Sequence, residues 1–130
     1  MKLRKACKTE IDCLFIYNLR FDNDVMKQSM TNKRPLYKEH KKYYFQHYKE
    51  YDIIEIDHKF VGFLRIDLLN YISIAILEEH RRKGIGQEIL KTVNNVKAII
   101  KTNNKISLNA FEKSGFKVIG YYLEKGKNDN

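Results

Sequence analysis

Proline occurs once in this chain of 130 residues, cysteine twice and glycine six times. With Pro35 alone, and with no Pro/Gly-rich linker, internal repeat or long block of one charge, nothing marks a domain boundary. The expectation is one domain spanning residues 1–130. Cys7 and Cys13 stand six residues apart, a spacing that matches no zinc or redox motif, so both read as reduced thiols. His40 and His47 would share a helix face about 10 Å apart by helical rise, too far for one ion, and no metal site is expected. No apolar run approaches the roughly 20 residues of a membrane span. Met1-Lys2-Leu3-Arg4-Lys5 is basic but lacks the apolar stretch of a secretory signal, so the expected location is cytoplasmic, with no membrane partner.

What the chain has in quantity is apolar residues, 43%, and positive charge, net +9. The first is ordinary for a folded protein, and at this length about two-thirds of the unfolded surface should be buried. The second favours anionic partners: nucleic acid, a phosphorylated cofactor or a nucleotide-linked substrate.

The apolar spacing suggests a short strand over residues 2–6. A helix then carries Ile11, Leu14, Phe15 and Leu19, opened by Thr9 with Asp12 as a capping box. A short helix is expected around Val25–Met30, a loop at Thr31–Pro35, and a helix with Tyr37, His40, Tyr44 and Tyr48 on one face. Ile53, Ile54 and Ile56 mark a strand, Asp57-His58-Lys59 a turn, and Phe60–Ile66 a second strand. Tyr71–Ile76 alternates, with Ile72, Ile74 and Ile76 on one face. A helix with Ile85, Ile89, Leu90, Val93 and Val96 buried should follow. After it come a strand at Lys97–Lys101, a helix from Asn104 to Lys113 that Gly115 terminates, and a last strand from Phe116 to Ile119. This order implies a mixed α/β (α+β) fold, a central mixed sheet with helices on both faces.

The chemistry concentrates in Arg81-Arg82-Lys83-Gly84-Ile85-Gly86, between the strand ending at Ile76 and the helix beginning near Ile85. Helix N-termini present unpaired N–H groups and partial positive charge, and such ends bind phosphates. Gly84 and Gly86 lack Cβ atoms, so a pyrophosphate can approach the backbone. The three cations add charge. The loop lacks the glycine–lysine–serine ending of a P-loop and the third glycine of a dinucleotide fingerprint.

Arg81, Gly84 and Gly86 match the Q/R-x-x-G-x-G/A motif of the GNAT (Gcn5-related) N-acetyltransferases. Asn104, Ser107, Phe111, Glu112, Lys113, Gly115 and Phe116 match that family's later segment. Tyr71 to Phe116 thus resembles GNAT proteins, and the resemblance implies their fold with acetyl-CoA as cosubstrate. It implies that backbone of Ile74, Ala75 and Ile76 pairs with the pantetheine arm. Arg81, Arg82, Lys83, Gly84, Ile85, Gly86 and Gln87 would hold the pyrophosphate, with Asn104 and Phe111 near the thiol. The implied reaction is direct attack of a primary amine on the acetyl thioester. Many relatives place a tyrosine where Phe111 stands, and relatives that acetylate ribosomal-protein N-termini carry a glutamate where Ile99 stands, so acid and base are unassigned. Ser73 and Glu55 are the candidate catalytic residues.

The N-terminal region is similar to GNAT proteins acting on nucleotide-linked amino sugars, through Asn23, Asp24, Asn32, Glu39, His40 and Tyr44. Asn23, Asp24, Asn32, His40 and Tyr44 are accordingly the candidate substrate-binding residues, and Tyr43, Tyr44 and Tyr48 could stack on a sugar or base. A small-molecule amine, in particular a UDP- or dTDP-linked amino sugar, is the expected acceptor. A GNAT enzyme acting on a protein or peptide amine is one alternative. A non-catalytic CoA- or nucleic-acid-binding module is another. The short stretch after Ile119 raises a homodimer in which a partner completes the final strand.

Overall fold

The computed structural model describes residues 1–126. Four strands form an antiparallel sheet in chain order: β1 (Lys2–Lys5), β2 (Tyr51–Ile56), β3 (Lys59–Ile66) and β4 (Ile72–Ile76). Between β1 and β2 run α1 (Glu10–Arg20), α2 (Asn23–Gln28) and α3 (Tyr37–His47); after β4 come α4 (Ile85–Leu90) and α5 (Lys105–Lys113). Among the described residues, no helix is long and apolar enough to cross a membrane.

Strand alternation divides the core in two. Tyr51, Ile53, Phe63 and Ala75 pack with Cys13, Ile16 and Leu19 of α1 and Tyr44 of α3. Ile54, Val61, Leu64 and Ile72 point the other way, against Ile85, Ile89 and Leu90 of α4. Helices therefore cover both faces, as the sequence pattern predicts. The β2–β3 register slips between Ile54 and Glu55, which leaves Gly62 opposite Ile54 and Ile76. A Cβ on Gly62 would lie 2.4 Å from the Ala75 carbonyl oxygen, so only glycine lets β3 and β4 approach this closely.

Local chemistry sets the ends of the elements. The Thr9 hydroxyl accepts from Asp12 N at the start of α1. The reciprocal half of the expected capping box is missing, because the Asp12 carboxylate instead accepts from Arg4 at 2.9 Å through both oxygens and from Cys7 N at 2.8 Å. Burial pushes the Asp12 carboxyl up, and these three donors outweigh it and hold it below its usual range. Asp22 caps α2, so this helix begins at Asn23 rather than near Val25. Asn104 caps α5, its side chain accepting from Ser107 N. That helix closes with Gly115 at φ 100°, Gly115 N bonded to Glu112 O and Phe116 N to Phe111 O. This is a Schellman arrangement, and the Phe111 and Phe116 rings seal it at 4.9 Å.

Three expectations fail in the C-terminal part. The helix after Gly84 stops at Leu90 rather than continuing to Val96. Lys91 to Val96 offers two β-branched valines, a threonine and two asparagines, all poor helix formers, and Asn95 adopts φ 59°. Lys97–Lys101 forms no strand; the parallel part of the sheet is a single bridge between Tyr71 and Lys97. Phe116–Ile119 forms no strand either.

Candidate active site

Ile72 N donates to Lys97 O at 2.8 Å, on the side of β4 away from β3. Strand residues alternate direction, so the amides of Ile74 and Ile76 face the same outer edge. Among the described residues only Lys97 pairs with β4 there, so the edge beyond Ile72 is open. Ala75 points its backbone to β3 instead, where it pairs with Phe63. Of the three residues expected along the pantetheine arm, Ile74 and Ile76 thus present outward-facing amides, and Ala75 does not.

The open edge runs straight into the basic loop. Arg81 Nε donates to Ile76 O at 2.8 Å, which latches the loop to the end of the strand. Arg82 turns the chain at φ 63° and Gly84 at φ 77°, and α4 starts at Ile85. Arg82 and Lys83 are exposed, and Ile85 is buried as the first anchor of α4. Gly84 has a conformational reason to be glycine. Gly86 has none: it lies inside α4 without positive φ, and a Cβ there would meet nothing within 4 Å. A glycine in a helix costs about 1 kcal/mol against alanine. The fold does not ask for one here, and a ligand pressed against this surface would. The residues therefore fit a bound pyrophosphate.

The other predicted residues are spread more widely. Phe111 is half-buried against Phe116 and the α4-side core. Ser73 is exposed on the α1/α3 face of β4, opposite Arg65 of β3. Glu55 is displaced from the candidate site: it lies on β2, two strands or about 10 Å from β4, with its carboxylate 3.6 Å from Arg4 Nε. Asn23 and Asp24 are exposed in the first turn of α2, and Asn32 is exposed in the following loop. Tyr44 is fully buried and donates its hydroxyl to Cys7 O at 2.6 Å, so it is a core residue and cannot reach a substrate. His40 is 3% exposed, ringed by Tyr17, Phe21 and Tyr44.

Sequence reasoning missed the charged cluster beside Ser73. Arg65 donates to Glu50 at 3.0 and 2.7 Å and to the Tyr43 hydroxyl, and Glu50 also pairs with His47 Nδ1 at 2.7 Å. Arg20 donates to the Tyr51 hydroxyl at 2.9 Å. One signal was available: Arg65 is the lone charge between Phe60 and Ile66 in an otherwise apolar strand.

A sheet with one open edge leading into an arginine–glycine turn is the arrangement expected of an acyl-CoA-binding site. The family described as the acetyltransferase (GNAT) domain matches residues 43–118, and the chain belongs to that family. It is an N-acetyltransferase with acetyl-CoA as cosubstrate. The N-alpha-acetyltransferase of Sulfurisphaera tokodaii is 27% identical over an alignment of 160 positions, covering 98% of this chain and 88% of the relative. The spermidine N-acetyltransferase of Vibrio cholerae, solved with CoA and spermine, superposes with a TM-score of 0.76 at 19% identity, over 95% of this chain and 85% of that one. An aminoglycoside acetyltransferase solved with coenzyme A and kanamycin superposes at 0.68 and 14% identity, over 89% and 83%. The fold is thus shared by enzymes whose acceptor amines differ widely.

Proposed function

We propose that this enzyme acetylates the amine of a nucleotide-linked amino sugar, with the cosubstrate lying along β4 and its pyrophosphate at Arg81–Gly86. The observation that carries the cosubstrate's placement is the open β4 edge running into a helix whose second residue is a glycine the fold does not need. The cosubstrate supplies an activated acetyl thioester. The outward amides of Ile74 and Ile76 hold the pantetheine, and one of them faces the oxygen on which negative charge develops. Gly84 and Gly86 let the α4 amides reach the phosphates, with Arg82, Lys83 and Gln87 at the rim and Asn104 and Phe111 toward the thiol. Ser73, exposed on the acceptor side of β4, binds the incoming amine or a water beside it. Phe111 cannot donate a proton, but a thiol of ordinary pKa about 8.5 leaves without one.

For the acceptor, support comes from the net charge of +9, which suits a diphosphate, and from Tyr43 on the α1/α3 side, whose ring suits a sugar or base. The Sulfurisphaera relative's name favours a second reading, a protein N-terminus. Against the ribosomal-protein form of that reading, Ile99 stands where relatives that acetylate ribosomal-protein N-termini carry a glutamate. A homodimer is part of the proposal: Ile119, Tyr121 and Leu123 are 87–93% exposed and form no strand, as expected of a segment that a second copy covers.

The test has two arms. Gly86→Asp introduces no backbone strain and places a carboxylate against the phosphates; acetyl-CoA affinity should fall by at least about tenfold, or 1.4 kcal/mol, with the melting temperature no lower than that of the wild type. Unaltered affinity removes the loop assignment. Thiol release is then followed with UDP- and dTDP-linked amino sugars, lysine peptides and polyamines; turnover confined to the peptides or polyamines rejects the acceptor.

A further inference from the structure

The α1/α3 face holds two arginines, and they are satisfied unequally. Arg65 is matched by Glu50 and the Tyr43 hydroxyl. Arg20 has, among the described residues, only the Tyr51 hydroxyl and the ring faces of Phe21 and Tyr43, at 5.2 and 5.8 Å, and no carboxylate partner. A part-buried guanidinium without a carboxylate partner has donors left to offer an anion from outside the chain. Arg20 lines a cavity of about 240 Å³ together with Phe21, Pro35, Glu39, His40 and Tyr43. Glu39 is exposed at its rim, so its charge is screened by solvent. His40 is 3% exposed, and its Nε2 is buried with no hydrogen-bond partner among the described residues. Buried polar nitrogens are seldom left so. The volume falls below the roughly 300–1,000 Å³ of whole-ligand pockets, so it suits one group of a larger molecule.

Register ties this cavity to the transfer site. Arg65 stands between Tyr51 of β2 and Ser73 of β4, and Tyr43 joins Arg65 to the cavity wall. A ligand whose amine lies at Ser73 can therefore extend past Arg65 to Arg20.

We propose that this cavity binds a phosphate of the acceptor, with Arg20 recognising its charge and His40 offering a hydrogen bond. The inference rests on the acceptor being nucleotide-linked, and it makes Arg20 a specificity residue for that reaction. A planar guanidinium matches two phosphate oxygens at once, which lysine cannot do. The same field repels polycationic amines from this face.

Coenzyme A carries phosphates of its own, so the experiment uses protein saturated with it, which closes the Arg81–Gly86 loop to competitors. UDP and dTDP are titrated calorimetrically, with uridine and thymidine as uncharged controls. The diphosphates should bind at least about tenfold more tightly than the nucleosides, and Arg20→Gln should remove that advantage while coenzyme A affinity and melting temperature hold. Arg20→Lys keeps the charge and loses the fork, and it covers the case in which Arg20→Gln does not fold; it should weaken the diphosphates severalfold. No preference for the diphosphates in the wild type, or wild-type affinity in either variant, overturns the proposal. The wider acceptor reading fails differently: if UDP binds through Arg20 but no nucleotide-linked amino sugar releases thiol, the amine is wrong and the phosphate cavity stands.

Discussion

Replacing His40 by phenylalanine should flatten the acid limb of the stability profile. His40 is enclosed by aromatic rings, and burial first, then the charges of Arg20 and Arg65, lower its pKa from 6.5 to about 4. In the unfolded chain it titrates near 6.5. Above that pH both states carry a neutral ring and the full stability is present. Between 6.5 and about 4 the unfolded state binds the extra proton, so stability falls as pH falls. The gap of about 2.5 units is worth about 3 kcal/mol at 1.36 kcal/mol per unit. The His40→Phe variant would keep ring contacts with Tyr17, Phe21 and Tyr44 but has nothing to titrate at this position. Urea unfolding of both proteins at pH 7.5, 6.0, 5.0 and 4.5 reads the difference directly. The carboxylates common to both, such as Asp12 and Glu50, cancel in the comparison. Parallel profiles between pH 6.5 and 4.5 would show that the His40 environment is not as described.

Gly62→Ala should destabilise the fold by about 1–3 kcal/mol, the range for overpacking, because its Cβ would press on the Ala75 carbonyl; chemical denaturation measures it, and a neutral substitution would refute the close β3–β4 approach. If a second copy covers Ile119–Leu123, sedimentation should find a dimer that Tyr121→Asp with Leu123→Asp dissociates; a strict monomer with full activity rejects the pairing.

The strand meander and the two-sided burial were legible because period-two and helical patterns are local. Tyr37, His40, Tyr44 and Tyr48 do share one face, yet the same regularity misled on function: an aromatic stripe looks alike whether it lines a cleft or fills a core, and Tyr44 fills the core. The Arg81–Gly86 turn was readable because glycine and charge carry meaning at fixed spacing. Arg20 and Arg65 were not, since they lie far apart along the chain and meet only through β3 and α1 packing on one face. The segments Lys97–Lys101 and Phe116–Ile119 have the β-branched composition of strands, but composition does not supply a partner edge.

Among the described residues, backbone after Leu77 makes one hydrogen bond to a strand, Ile72 N to Lys97 O, and one to the β3–β4 turn, Lys97 N to Asn70 O. Apart from the packing of Ile85, Ile89 and Leu90, the C-terminal part of the molecule is therefore fastened to the sheet at a narrow seam, and a cosubstrate reaching from β4 to α4 would bridge the two. Present at a hundred times its dissociation constant, such a molecule adds about 2.7 kcal/mol to the stability of the folded form. The supply of acetyl donor would then govern not only how fast the enzyme turns over but how long it survives proteolysis, so that a starved cell would lose the catalyst along with its fuel.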